Sequence, residues 1–337
     1  MFNKKIEKFI AVFIILSMIV GSFFYFRQQV YFSHGSYRET KIFTVKKGER
    51  NVLIASRLKE EGLITGKIYF YYYLRTHGLQ NKILPGDYEL SGGLTIPEIA
   101  LILAEEQTKF IKVTFPEGWT SKQMAERLKA NGLPGDDFLA IASNPQELAE
   151  NYNFLSGDGI KNLEGYLFPD TYFFAKDATA KDIAVKLLGI FNTKITPPMK
   201  ADALARGKSL NEIVIMASII EGEVRSEEDR KIVSGIFWKR LENGKPLESC
   251  ATLAYVLGTR KAQYSYADTQ FDSPYNTYLH QGLPSGPISN PGLSSIEAAL
   301  YPQESNYNYF LSDPETGETI FSATYEEHNE NKRKYGL

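Results

Sequence analysis

Along residues 209–225 polar positions give way to a mainly apolar run that ends on a carboxylate, SLNEIVIMASIIEGEVR. Ser209 and Glu212 have the N-cap and N3 spacing of a capping box, which predicts a helix start. Ile213, Met216, Ala217 and Ile220 recur at helical spacing and predict a buried stripe. Glu221 lies four positions after Ala217 and eight after Ile213, so it falls on or beside that stripe. Glu223 is expected to face solvent. Arg225, four after Glu221, is within reach of an i,i+4 ion pair. A carboxyl held against apolar side chains loses hydration, which favours its protonated form. That is what a general acid near neutral pH requires. The same pattern also fits a first solvated residue at the edge of an apolar face, and periodicity leaves both readings open.

The other long apolar stretch is at the N-terminus. Residues 9–26 carry no charge, and Lys4, Lys5 and Lys8 precede them. The length predicts a single transmembrane helix, and no small-x-small cleavage site follows it. The basic tail, 1–8, is expected to be cytoplasmic. The protein is therefore expected in the cell membrane, single-pass, with its main body extracytoplasmic. Residues 27–42 read as a polar connector interrupted by Gly35-Ser36.

A small module follows at 43–107. Its pattern is a strand at 42–45, a turn at Lys47-Gly48, and a helix at 51–61 with Val52, Ala55 and Leu58 inward. Gly62 ends that helix. A second helix at 67–76 carries the aromatic run 69–73, and PGDYEL (85–90) reads as turn plus strand. Thr95 with Glu98 forms a further capping box, starting a helix to about residue 105. The opening recurs 70 residues later: FTVKKGERNVLIASRLKEEGL (43–63) aligns with VTFPEGWTSKQMAERLKANGL (113–133). This β-α-α-β unit resembles the LysM fold, a peptidoglycan-binding module. Trp119 and the Tyr69–Tyr73 run are candidate sugar-stacking rings; the alternative is that both copies are spacers.

Residues 108–337 mix helices with short strands. A loop is expected near 156–158, and the Gly-, Pro- and aromatic-rich stretch NLEGYLFPDTYFF (162–174) predicts a constrained segment. Helices are expected at 178–192, 201–207 and 227–241, and 246–258 continues the core. The stretch 273–302 has little periodicity and alternates polar, aromatic, Gly and Pro residues, which suits a binding loop. Ser294 or Ser295 is expected to cap a helix at 296–300. A hairpin at 307–322 and a charged helix at 324–334 complete an α+β class with antiparallel sheet.

Charge and composition narrow the function. Thirty-eight basic and 40 acidic residues give a net charge of −2, and no basic cluster suggests a nucleic-acid partner. The single cysteine, Cys250, excludes an intrachain disulfide framework. The four histidines lack the close spacing of a metal motif.

Several blocks, in order along the chain, resemble one family, the endolytic murein transglycosylases of the bacterial inner membrane. They are LEGYLFPDTY (163–172), ASIIEGE (217–223), SPYNTY (273–278), GLPSGPISNPG (282–292), YNYFLSD (307–313) and FSATYEEHN (321–329). The resemblance implies that Glu221, the first glutamate of its ASI-x-E block, is the catalytic acid/base. It implies cleavage of the β-1,4 bond between N-acetylmuramic acid and N-acetylglucosamine without water, leaving 1,6-anhydro ends and limiting the length of nascent peptidoglycan glycan strands near cell-wall synthases. No metal or organic cofactor is implied. Glu164, Tyr275, Asn276, Tyr278 and Ser285 are candidate substrate-binding residues. One departure stands out. Where the family has L-Q-S/T-D-P-T, this chain has Leu247-Glu248-Ser249-Cys250-Ala251-Thr252, which adds Glu248 as a candidate carboxylate. The competing readings are a hydrolytic muramidase, which needs a second carboxylate such as Glu164, Glu223 or Glu248, and a non-catalytic wall-binding scaffold.

Overall fold

The computed structural model describes residues 4–33, 41–104, 110–156, 159–261, 263–313 and 316–336. The chain divides into two compact units, Met1–Val113 with Asp170–Lys176, and Thr114–Pro169 with Asp177–Leu337.

In the first unit the strands Lys41–Val45 and Gly86–Leu90 pair antiparallel, with Phe43 opposite Tyr88 and Val45 opposite Gly86. Alternation sends Phe43, Val45, Tyr88 and Leu90 inward and leaves Ile42 exposed. Between the strands lie the helices Asn51–Glu60 and Lys67–Thr76. Ile54, Ala55 and Leu58 are the buried side of the first helix; Val52, expected inward, is exposed. In the aromatic run Phe70 and Tyr73 belong to the core, whereas Tyr71 and Tyr72 are exposed. The helix Ile96–Leu103 starts on the complete Thr95/Glu98 capping box. The strands Phe110–Thr114 and Thr171–Ala175 form a further two-stranded sheet.

The transmembrane helix expected at 9–26 is corrected: among the described residues no helix is long and apolar enough to cross a membrane. The N-terminal helix, Lys4–Tyr31, runs on through Arg27, Gln28 and Gln29, residues expected in a connector. Its last turns are committed to the first unit. Val30 is buried, and Phe26 meets Tyr69 and Tyr72 edge-on at 5.3 and 4.8 Å between ring centroids. Gln29 accepts a 2.5 Å hydrogen bond from Thr65 Oγ1. Only these last turns are covered by protein: Phe13, Ile14, Leu16, Phe23 and Phe24, earlier in the same helix, are exposed. The helix expected to run to about residue 105 ends at Leu103. The Gly35-Ser36 break and the module limit at 107 lie outside the described residues.

The repeated segment has one local geometry in both copies. Each has a strand, then a glycine at positive φ (Gly48 at 78°, Gly118 at 77°), then a ten-residue helix (Asn51–Glu60, Ser121–Ala130) and a second such glycine (Gly62, Gly132). Arg57 donates to the carbonyl of Thr44 at 2.9 Å, and its counterpart Arg127 donates to Thr114 at 3.3 Å.

The second unit is built around the helix Leu210–Glu223. The capping box holds: Ser209 Oγ accepts from the Glu212 N–H, and the Glu212 side chain accepts from the Ser209 N–H at 2.7 Å. Every residue from Ile213 to Ile220 is buried, so this is a central helix and not one with a single apolar stripe. It packs against Leu293–Leu300, Glu227–Glu242, Cys250–Leu257 and Pro197–Ala205. The helix Ala180–Lys194 starts on a third capping box, Thr179 with Asp182. The hairpin Tyr309–Ser312 with Thr319–Ser322, and the helix Tyr325–Lys334, close the unit. Of the loop expected at 156–158, residues 157 and 158 lie outside the described residues. The α+β class with antiparallel pairing is found as expected.

Candidate active site

Glu221 occupies the last turn of the central helix, and its side chain is only 7% exposed. Its surroundings are polar, not the apolar wall expected from periodicity. Oε1 accepts from the Arg230 guanidinium at 2.8 Å. Oε2 accepts from the Gly292 N–H and from Ser295 Oγ, each at 2.9 Å. Gly292 is the N-cap of the helix Leu293–Leu300, so the positive end of that helix faces the carboxylate. Ser295, expected as a helix cap, instead turns its hydroxyl to Glu221. Gly118 covers the other side: a Cβ there would stand 3.3 Å from Glu221 Cγ, and φ of 77° favours glycine.

The partner expected for Glu221 was Arg225, but the helix ends at Val224, and Arg225 is exposed beyond it. Arg230 is 7% exposed and lies on the inward face of the next helix, with Nε toward the Val224 carbonyl at 3.4 Å. The sequence did carry a signal for it. Arg230 precedes Val233 by three and Phe237 by seven, so a cation falls on an apolar stripe, where one is seldom found without a partner.

Beside this group is a second buried carboxylate. Glu164 is 4% exposed and accepts from the Ser121 N–H (2.9 Å), Ser121 Oγ (2.9 Å) and Asn290 Nδ2 (2.6 Å). Burial raises its pKa from the ordinary 4.5 to about 7, against the lowering effect of those donors. Asn290, fully buried, uses every amide atom. Nδ2 donates to the Trp119 carbonyl and to Glu164, and Oδ1 accepts from the N–H groups of Gly165 and Leu167. Its backbone pairs with Trp119 in an isolated antiparallel bridge. Asn290 thus ties three segments together around the site, and it was not singled out from sequence. Trp119 lies under the Arg127 guanidinium at 4.6 Å.

The raised pKa of Glu164 has a testable consequence. The folded state holds the proton above the pH at which the unfolded chain releases it. The stability this provides is present at acid pH and is lost as pH rises from about 4.5 to about 7. Glu164→Gln, which keeps the shape without the ionisation, is expected to remove that dependence. Its stability relative to the parent should improve by up to roughly 3 kcal/mol between pH 5 and 8. Urea denaturation across this range measures it; parallel pH curves would contradict it.

The remaining candidates are dispersed. Asn276 is fully buried, and its amide is used within its own loop, donating to the carbonyls of Thr269 and Phe271 and accepting from the Tyr278 N–H. Tyr275 packs on Tyr255 with centroids 5.0 Å apart. Burial first, and the charge of Glu164 second, raise its hydroxyl pKa. Tyr278 Oη sits 3.4 Å from Cys250 Sγ. The Ser285 N–H donates to the Pro274 carbonyl at 3.2 Å. Glu223, expected in solvent, accepts from Ser249 Oγ (2.5 Å) and the Ala251 N–H (2.9 Å) and so secures the start of the helix Cys250–Leu257. Glu248 pairs with Arg240 at 2.9 Å, half exposed, and holds the only positive φ outside glycine among the described residues, 52°. Among the described residues no group of three or more His, Cys, Asp or Glu side chains is placed to hold a metal ion.

A buried acid at the end of a core helix, held by a cation, a helix N-terminus and a hydroxyl beneath irregular glycine-rich segments, has the attributes of an acid/base catalytic site. The chain belongs to the YceG-like family, whose model matches residues 43–334. It is 32% identical to a Bacillus subtilis (strain 168) protein named endolytic murein transglycosylase, over 94% of this chain and 91% of the relative. A Streptococcus pneumoniae (strain D39) protein of the same name is 27% identical over 82% of this chain, which spans 55% of that relative's length. A crystal structure of a YceG-like protein from Listeria monocytogenes superposes with a TM-score of 0.61 at 34% identity, covering 88% of this chain and all of that one.

Proposed function

We propose that the chain is an endolytic lytic transglycosylase that cuts the MurNAc-β-1,4-GlcNAc bond of nascent peptidoglycan and leaves 1,6-anhydro-MurNAc ends. The observation that carries this reading is the carboxylate of Glu221, held by Arg230, Gly292 and Ser295, in a chain whose relatives bear that name. In the reaction Glu221, protonated, gives its proton to the leaving glycosidic oxygen. Arg230, the Gly292 N–H and Ser295 then steady the carboxylate left behind. That carboxylate takes the proton of the C6 hydroxyl as its oxygen closes on the anomeric carbon. One residue serves as acid and then base because the nucleophile belongs to the sugar.

A muramidase would need a second carboxylate across the bond. The three considered from sequence are each engaged by the protein: Glu164 by Ser121 and Asn290, Glu223 by Ser249 and Ala251, Glu248 by Arg240. Mass analysis of the products from purified murein strands separates the two readings. Anhydro ends are expected; reducing ends would make the enzyme a hydrolase, and intact strands would make the protein a scaffold. A murein substrate supports a working location outside the cytoplasmic membrane, near the synthases that extrude new strands. The β-α-α-β order of the first unit supports a LysM-like role in holding glycan.

A further inference from the structure

One carboxylate beside the site has no part in the mechanism above. The antiparallel bridge between Trp119 and Asn290 sets residue 117 opposite residue 292. The Glu117 side chain accordingly lies over Gly292: a Cβ on Gly292 would come within 2.0 Å of Glu117 Oε1 and 2.5 Å of Oε2, so glycine alone leaves the carboxylate room there. The N–H of the same Gly292 donates to Glu221. The neighbouring residue on Glu117's own segment, Gly118, lies against Glu221 Cγ. A single glycine therefore touches both carboxylates, and Glu117, unlike Glu221, is exposed.

We propose that Glu117 is a substrate-binding residue that accepts a hydrogen bond from a hydroxyl or acetamido N–H of the sugar beside the bond Glu221 cleaves. Murein glycan presents donors of both kinds, and an ionised carboxylate is an acceptor only. Glu164 is buried, whereas Glu117 combines exposure with a place against Gly292, next to Glu221. The proposal rests on the reading of this site as glycan-cleaving, and it adds a contact that orients the strand.

The test is binding, measured apart from turnover. In the Glu221→Gln protein, calorimetry with purified uncross-linked murein glycan strands gives a reference affinity. Adding Glu117→Ala is expected to weaken it about tenfold or more, the range for a hydrogen bond to a charged group. Adding Glu117→Gln, which keeps one acceptor oxygen, is expected to weaken it about threefold. With Glu221 intact, Glu117→Ala should raise KM more than it lowers kcat. Affinities of both double variants within experimental error of the reference would overturn the proposal. The glutamine variant alone decides if the alanine variant does not fold. Should the parent release no anhydro ends, the transglycosylase reading fails, and the binding comparison still decides the role of Glu117.

Discussion

Glu221→Gln is expected to abolish release of anhydro ends, with a rate loss of about a thousandfold or more, while the protein still folds. The size follows from the two roles assigned to one group. General acid and general base steps are each worth typically 10²–10⁴-fold, and glutamine can perform neither. The fold should survive because the amide keeps the shape and one oxygen for Gly292 and Ser295. It should not be untouched. The side chains of Arg230 and Glu221 are 9% and 7% exposed, so removing the negative partner leaves a cation with little water. A fall in melting temperature of several degrees with a cooperative transition is expected. Chromatography with mass detection of digested murein measures the first effect, and circular dichroism the second. Residual cleavage within tenfold of the parent would remove Glu221 from the chemistry.

The second large effect is expected at Asn290. Asn290→Ala removes four side-chain hydrogen bonds of 2.6–3.0 Å and leaves the Gly165 and Leu167 N–H groups and Glu164 short of partners. Each buried group left unsatisfied costs about 1–3 kcal/mol, with some relief where water enters. A net loss of about 3–5 kcal/mol is expected in urea denaturation. Asn290→Asp tests the sign. It keeps the oxygen that receives Gly165 and Leu167 but sets a carboxylate against Glu164 Oε1, so its deficit should shrink toward acid pH, where one of the two carboxyls holds a proton. An alanine variant within 1 kcal/mol of the parent would show that the three segments hold together without the amide.

How far the site is legible in the sequence differs by residue, for physical reasons. The start of the Glu221 helix could be read because a capping box is local: Ser209 and Glu212 need only each other. Its burial on all sides could not, because periodicity tests one face at a time and Val214, Ile215 and Ile219 depend on which elements pack around them. Glu223 was misplaced for a related reason. Its partners Ser249 and Ala251 lie 26 and 28 residues on, and helical spacing is silent on them. Arg225 was a sound local expectation defeated by the helix ending at Val224. The N-terminal helix shows the limit of hydropathy, which does not report which side chains of an apolar run find a packing partner: Val30 is buried, whereas Phe13 and Phe24 of the same helix are exposed. Asn276 and Asn290 look alike in sequence as amides in glycine- and proline-rich loops. One organises its own loop, and the other joins three distant segments.

The distances along the chain within this site also set an order of assembly. Glu221 receives two of its three donors from residues 71 and 74 positions later, and Asn290 reaches back 171 positions to Trp119. Contacts of such separation form late, because the intervening chain must be ordered before they close. The local capping boxes can form early, but Glu221 stays without Gly292 and Ser295 until the segment around them has docked. Arg230, nine residues on, is the near partner; the site is complete only when the distant Gly292 and Ser295 have joined it, so the power to cut the wall waits on the longest-range contacts.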